Sequence, residues 1–208
     1  MSVTADNVRS LSSKGRQTRL ALEEAACELF AQRGFHGTTL ADITAAAGKS
    51  PAAFYRYFTD KEDLLAALAE SFLREVVQPA SVRGHLPSSR ADGDFFDRAV
   101  GSYWAMFKPN IGIMTAVDQL AATEPRFAEL RSEFRRFGID IVAASVRRAQ
   151  QQGHARGVDP DNTALAIALL FERFTGVCLS GGLSDTEAIT TLATIWRRTV
   201  YGTDPEET

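Results

Sequence analysis

The sequence predicts an all-α fold. Three observations carry that prediction. Apolar residues recur at three- and four-residue spacing along almost every segment. Strand-like alternation of useful length and internal repeats are both missing. Capping residues, glycines and prolines cut the chain into about nine helices at intervals that suit helix lengths.

The elements follow in order. Residues 1–14, MSVTADNVRSLSSK, are polar and without period and read as a disordered arm. From Arg16 to Arg33, Leu22, Ala25, Ala26, Leu29 and Phe30 form a helical stripe that Gly34 ends. Thr39, with Asp42 three residues on, opens a short helix to Ala47, and Gly48 breaks it. Ser50 as cap and Pro51 in the first turn open a second short helix to Tyr57. Thr59 or Asp60 can cap a fourth helix, and Thr59 with Glu62 forms a capping box for it; its stripe is Leu65, Leu68, Phe72 and Val76, and Pro79 ends it. Residues 79–93 are rich in Pro, Gly and Ser and read as a loop. Helices are then expected over 94–108, 110–122 and 125–152. Asp159-Pro160 opens another to about Ser180, and a Ser184–Glu187 box opens the last, to about Tyr201. The expected division is a three-helix domain over 15–60, a connecting helix over 61–78, a helical domain over 94–202 and a tail over 203–208.

Bulk properties narrow the function. Among the 208 residues 45% are hydrophobic and 24% charged, an ordinary globular balance. A net charge of −3 excludes a generally basic nucleic-acid binder but allows a local basic patch. Cys27 and Cys178 lie far apart in apolar helical patterns and read as two buried thiols of a reducing cytoplasm, where the protein is expected. The N-terminus has no secretory core, and the longest apolar run, ALAIALLF, is far too short to span a membrane. Gly48-Lys49-Ser50 mimics the end of a P-loop, but no strand precedes it. Cys178-Leu179-Ser180-Gly181-Gly182 lacks the leading glycine and the sheet of a nucleophile elbow. His36, His85 and His154 have no partner at metal-ligand spacing. No enzyme, cofactor or metal is implied.

Function gathers around GKSPAAFYRYFTDKEDLL, residues 48–65. Two short helices joined by a tight turn, over about 39–58, have helix-turn-helix spacing, in which the second helix enters the DNA major groove. Phe54 and Phe58 are expected inward, pinning that helix. Lys49, Ser50, Pro51, Ala52, Ala53, Tyr55, Arg56 and Tyr57 are expected at its entrance or outward side. Ala52 and Ala53 let the backbone approach base edges, and alanine can touch a thymine methyl. Tyrosine hydroxyls, Lys49, Lys61, Arg16 and Thr39 suit phosphate oxygens. Arg56 reaches either a phosphate or a guanine edge. The basic residues Arg9, Lys14, Arg16, Arg19, Lys49, Arg56 and Lys61 cluster in the arm and around the short helix.

The block from Arg16 to Leu65, with TLADITAAAGKSPAAFYRYFTDKEDLL, resembles the TetR family of bacterial one-component transcriptional repressors, and FYRYFTDKEDLL is its most specific part. The resemblance implies a two-domain helical homodimer with its DNA-binding domain in helices one to three. Pro51-Ala52-Ala53 departs from the polar residues of many members and implies fewer side-chain base contacts. Residues 170–202 are similar to the end of the mycobacterial ethionamide-resistance repressor subgroup, through Glu172-Arg173 and the Ile195-Trp196…Tyr201-Gly202 ending. That similarity implies dimerisation through the last two helices. The all-round apolar helix containing ALAIALLF needs cover on more than one face, which agrees. Ala164, Ala168, Ile189, Leu192 and Val200 are the interface candidates. In this subgroup an apolar tunnel runs between the C-terminal helices. Carried over, its wall is Phe96, Tyr103, Trp104, Phe107, Met114, Phe134, Phe171 and Trp196, with Tyr103, Glu172 or Arg173 as polar anchors, although each aromatic also reads as core and Glu172 and Arg173 fit pairing with other helices equally well. The expected partners are thus a double-stranded DNA operator, a second copy and a small, largely apolar effector, with no membrane. An activator, a regulator without a small ligand, or a helical interaction module fits the same residues without a released repressor.

Overall fold

The computed structural model describes residues 12–77, 93–179 and 181–202, and every described regular element is helical. They are α1 (Ser13–Arg33), α2 (Leu40–Ala46), α3 (Pro51–Phe54), α4 (Lys61–Phe72), α5 (Gly93–Phe107), α6 (Ile111–Leu120), α7 (Pro125–Gln151), α8 (Pro160–Leu179) and α9 (Asp185–Tyr201). A π-helical turn, Leu73–Val77, follows α4, and a 3-10 turn, Lys108–Asn110, follows α5. Most of the expected arm, nearly all of the expected loop 79–93, Ser180 and the tail 203–208 lie outside the described residues.

The capping chemistry explains the boundaries. Ser12 caps α1, accepting from Gly15 N–H at 3.2 Å, so the helix begins inside the segment expected to be arm. Gly34 ends it at φ 72°, a left-handed conformation that glycine adopts without strain. Thr39 and Asp42 form the full reciprocal box at the start of α2. Ser184 and Glu187 do the same for α9. One expectation is corrected. The cap of α4 is Asp60, which accepts from Asp63 N–H at 2.7 Å, rather than Thr59 with Glu62. A carboxylate at the cap and another three residues on outcompete the hydroxyl one position earlier.

The chain divides into two compact units, and not at the Pro/Gly/Ser-rich segment. One contains residues 1–73 and 110–131, the other 74–109 and 132–208. In the first, α6 packs on both α1 and α4. The buried side of α4 is accordingly wider than the expected stripe. Leu64, Leu65, Ala66, Leu68, Ala69, Phe72 and the following Leu73 are all buried. The approach of α6 to α1 is set by Gly112: a Cβ there would lie 2.6 Å from Ala31 N and 2.8 Å from Ala31 Cα and Phe30 C. These are backbone atoms, so relief requires moving a helix. Gly112→Ala is expected to cost about 1–3 kcal/mol in spite of alanine's better helix propensity. Chemical unfolding followed by circular dichroism measures it; an unchanged or raised midpoint would show that the two helices separate freely.

In the second unit, α9 lies along α5 and contacts α8. Its core joins Phe96, Val100, Trp104, Val146, Ala164, Phe171, Leu192, Trp196 and Val200.

Candidate nucleic-acid interface

The first unit fixes a four-residue helix, α3, that is too short to be stable by itself. Ser50 Oγ accepts from Ala53 N–H at 3.2 Å, and Pro51 fills the first helical position. Phe54 and Phe58 are buried, with ring centroids 5.5 Å apart. The helix stops at Phe54, and residues 55–57 continue as a turn. The tight turn ahead of it is closed by Lys49 N–H on Thr44 O at 2.8 Å, with Gly48 at φ 62°.

This framework leaves one surface facing outward. Ser50, Pro51, Ala52, Tyr55 and Arg56 are exposed, while Lys49 and Ala53 are half-buried. Tyr55 is 61% exposed, high for an aromatic side chain beside a hydrophobic core. Thr39, at the start of α2, and Arg16, on α1, are also exposed. Thr39 Oγ1 is engaged with Asp42 Oδ2 at 2.6 Å, and this hydrogen bond, together with one from the Thr39 backbone N–H, holds the Asp42 carboxyl below its ordinary pKa.

Two expected contacts are placed elsewhere. Tyr57 is buried rather than outward, because the chain leaves helical winding at Tyr55 and turns its ring toward the core. The Arg56 guanidinium lies 5.9 Å from the centre of that ring. Lys61 points inward: its ammonium donates to Phe35 O at 2.7 Å and Thr38 O at 2.8 Å, and sits 4.1 Å from the Phe35 ring centre. It closes the turn between α1 and α2, satisfying carbonyls just past the α1 terminus. Lys61→Met keeps the stem and removes these bonds. It is expected to cost about 1–2 kcal/mol in urea unfolding. The salt dependence of DNA binding should stay unchanged; a slope reduced by about one would return Lys61 to phosphate.

The residues expected to wall a ligand tunnel are placed as follows. Phe96, Phe171 and Trp196 interlock, with centroids 5.2 Å apart for Phe96–Trp196 and 6.1 Å for Phe171–Trp196. Tyr103 stacks on Phe107 at 4.5 Å, and its hydroxyl meets Thr175 Oγ1 at 3.5 Å. Burial pushes the Tyr103 phenol up to about 12, so it stays protonated at ordinary pH. Trp104 is buried; its Nε1 is directed toward the Asp185 carboxylate without closing a hydrogen bond. Lys108 holds that carboxylate at 2.6 Å. Glu172 receives both arms of Arg135 at 2.8 Å each, so its carboxylate is tied between α7 and α8. Phe134 is buried, and Met114 belongs to the other compact unit. A groove of about 420 Å³ opens beside the start of α8, between Val158, Asp159, Ile167, Leu170 and Thr199.

The interface candidates are also redistributed. Ala164, Ala168, Leu192 and Val200 are buried within the chain's own second unit, and Ile189 is half-buried. Leu165, Leu169, Leu170 and Val177 on α8, with Ile195 on α9, carry the exposed apolar surface. Helical spacing showed that α8 is apolar all round but not which side its own chain covers. Cys27 is half-buried rather than buried; burial and the nearby Glu23, Glu24 and Glu28 push its thiol up to about 11. That makes it a poor nucleophile.

Residues 22–68 match the family model of bacterial regulatory proteins of the tetR family. Residues 96–202, more than half of the chain, match that of the C-terminal domain of the transcriptional regulator EthR. Similar curated proteins include the HTH-type transcriptional regulator EthR of Mycobacterium tuberculosis, 24% identical over 93% of this chain and 92% of its own length. Another is the HTH-type transcriptional regulator UidR of Escherichia coli, 27% identical over 86% of each. Among solved structures, a tetR-family regulatory protein from Rhodococcus superposes with a TM-score of 0.70 at 22% identity, covering 93% of this chain and all of its own. A transcriptional regulator from Saccharomonospora viridis, solved with choline, gives 0.72 at 21% identity, covering 86% and 95%.

Proposed function

Since the chain belongs to the TetR family of bacterial transcriptional regulators, with an EthR-type C-terminal domain, we propose that it is a cytoplasmic repressor that binds a palindromic operator as a homodimer and is released by a small, largely apolar ligand. The family consists of regulators and not enzymes, and no described helix is long and apolar enough to cross a membrane. The observation that carries the DNA reading is the exposed surface of α3 and its flanks. A buried Phe54 and Phe58 hold a helix whose outward residues are small (Pro51, Ala52), amphipathic (Tyr55) or cationic (Arg56). Small residues admit the backbone to the major groove. Arg16, Thr39, Lys49, Ser50, Ala53, Tyr55 and Arg56 supply groups for phosphates and base edges.

Homodimerisation is supported by the apolar surface of α8 and α9. Leu169 is 43% exposed and Val177 55%, two turns apart on one face. A four-helix contact between two copies covers such a face, and the two-fold axis matches a palindrome with half-sites roughly 34–36 Å apart. Ligand release is supported by the aromatic content of the second unit and by the Tyr103–Thr175 polar pair inside it, a neutral hydrogen-bonding point in apolar surroundings. A ligand shifts the equilibrium only by its differential affinity for the two states, and full switching takes about 10⁴-fold.

The test is fluorescence anisotropy of the full chain against DNA flanking its own coding region, and against fragments selected from genomic DNA, across salt concentrations. The expected result is one palindromic fragment bound by two copies, with affinity falling linearly in log salt. Binding that never rises above the non-specific level on any fragment would defeat the reading.

A further inference from the structure

We propose that Arg126, in the first turn of α7, is a positioning residue for the DNA-reading turn, acting through Asp63. The proposal rests on the DNA-binding reading above. Arg126 Nη1 lies 3.3 Å from Asp63 Oδ1, and Nη2 lies 3.0 Å from Glu70 Oε1. The two carboxylates are seven residues apart, two turns along one face of α4, so a single guanidinium fork spans both. The other oxygen of Asp63 faces the opposite way. Its Oδ2 accepts the Thr59 backbone N–H at 3.0 Å and the Thr59 hydroxyl at 3.2 Å.

Thr59 is the residue at which the chain leaves the reading turn, directly after buried Phe58 and three residues after exposed Arg56. Asp63 therefore has one oxygen on the exit of the DNA-reading segment and the other on α7. Its backbone N–H is itself held by Asp60 Oδ1 at 2.7 Å, so the carboxylate's origin is fixed. What remains adjustable is the rotation of the carboxylate, and Arg126 sets it. The burial is uneven. The Asp63 side chain is 13% exposed and that of Arg126 39%. An exposed ion pair contributes little by itself. A largely desolvated carboxylate that must also orient two donors depends on its counter-charge more strongly. The role assigned is thus orientation of Thr59 and the turn before it, and not contact with DNA.

The test uses the full chain with Arg126→Met, Arg126→Lys, Asp63→Asn and Glu70→Gln, read by amide hydrogen exchange, by thermal unfolding and by DNA titration across salt. Arg126→Met is expected to speed exchange of the Thr59 amide about tenfold and to weaken specific binding by a similar factor. The salt slope and non-specific binding should stay unchanged. Arg126→Lys recovers part of both effects, Glu70→Gln leaves Thr59 protected, and Asp63→Asn with Arg126→Met is no worse than the stronger single variant. A salt slope lowered by about one would make Arg126 a phosphate contact and overturn the proposal. Unaltered Thr59 exchange in a folded Arg126→Met protein would do the same. A wild-type protein that selects no fragment defeats the operator reading alone, because the exchange measurement still decides the positioning role.

Discussion

Trp196→Ala is expected to lower stability by about 3–5 kcal/mol, one of the two largest single-residue losses in the chain. The indole is 2% exposed and is surrounded edge-on by Phe95, Phe96 and Phe171 at 5.7, 5.2 and 6.1 Å. Phe95 and Phe96 come from α5 and Phe171 from α8, so no one segment can collapse into the space left behind. The polar end is accounted for as well. Trp196 Nε1 donates to Ser145 Oγ at 3.0 Å, and Ser145 Oγ donates onward to Val142 O at 2.7 Å. The pair is asymmetric. Trp196→Phe leaves the serine hydroxyl still donating to Val142, so its cost is mainly packing. Ser145→Ala leaves a buried indole N–H with no acceptor and is expected to cost about 1–3 kcal/mol by itself. Together, Trp196→Phe and Ser145→Ala should cost little more than Trp196→Phe alone. Denaturant unfolding by far-ultraviolet circular dichroism measures all four proteins. Strict additivity would mean that the hydrogen bond has no role.

Trp196 also shows how far periodicity reaches. Helical spacing put Ile189, Leu192, Trp196 and Val200 on one stripe of α9, and three of them share one buried face while Ile189 packs half-buried against the same core. The spacing left open whether that stripe meets its own chain or a second copy. The same ambiguity applies to α8, where Ala164 and Ala168 are buried by their own unit while Leu165 and Leu169 remain outside. Capping boxes at Thr39–Asp42 and Ser184–Glu187 were legible because both halves of the reciprocal hydrogen bond are encoded within four residues. Asp60 displaced Thr59 because two candidate caps stood side by side, and their ranking depends on which carboxylates can also serve the helix N-terminus. Three features carry no local signal. Gly112 is an ordinary residue in an apolar helix until α1 arrives against it. Lys61 reads as a surface cation until the Phe35 and Thr38 carbonyls, more than twenty residues earlier, are brought to it. Arg126 and Asp63 are 63 residues apart. All three are products of tertiary packing.

The reading helix makes the second large prediction, because its geometry is wholly borrowed. Phe54→Ala is expected to cost about 3–5 kcal/mol and to abolish specific DNA binding. Phe54 is fully buried, and its ring contacts Phe58 and the edge of Tyr55. A four-residue helix has no stability of its own, so losing its single buried side chain frees α3 rather than leaving a tidy cavity. The contrast is with its neighbours on the outer side. Arg56→Ala and Tyr55→Phe remove exposed groups and should leave thermal unfolding unchanged while weakening DNA binding several-fold. Arg56 then divides its two assignments cleanly. A phosphate contact gives uniform loss across sequences and a salt slope smaller by about one. A guanine contact gives relaxed preference at one position of each half-site. Phe54→Ala must differ from both, lowering stability and specific binding together while non-specific binding by the remaining cations persists. If Phe54→Ala bound the selected fragment as tightly as the wild type, recognition would not run through α3, and the exposed Pro51–Arg56 surface would have another use.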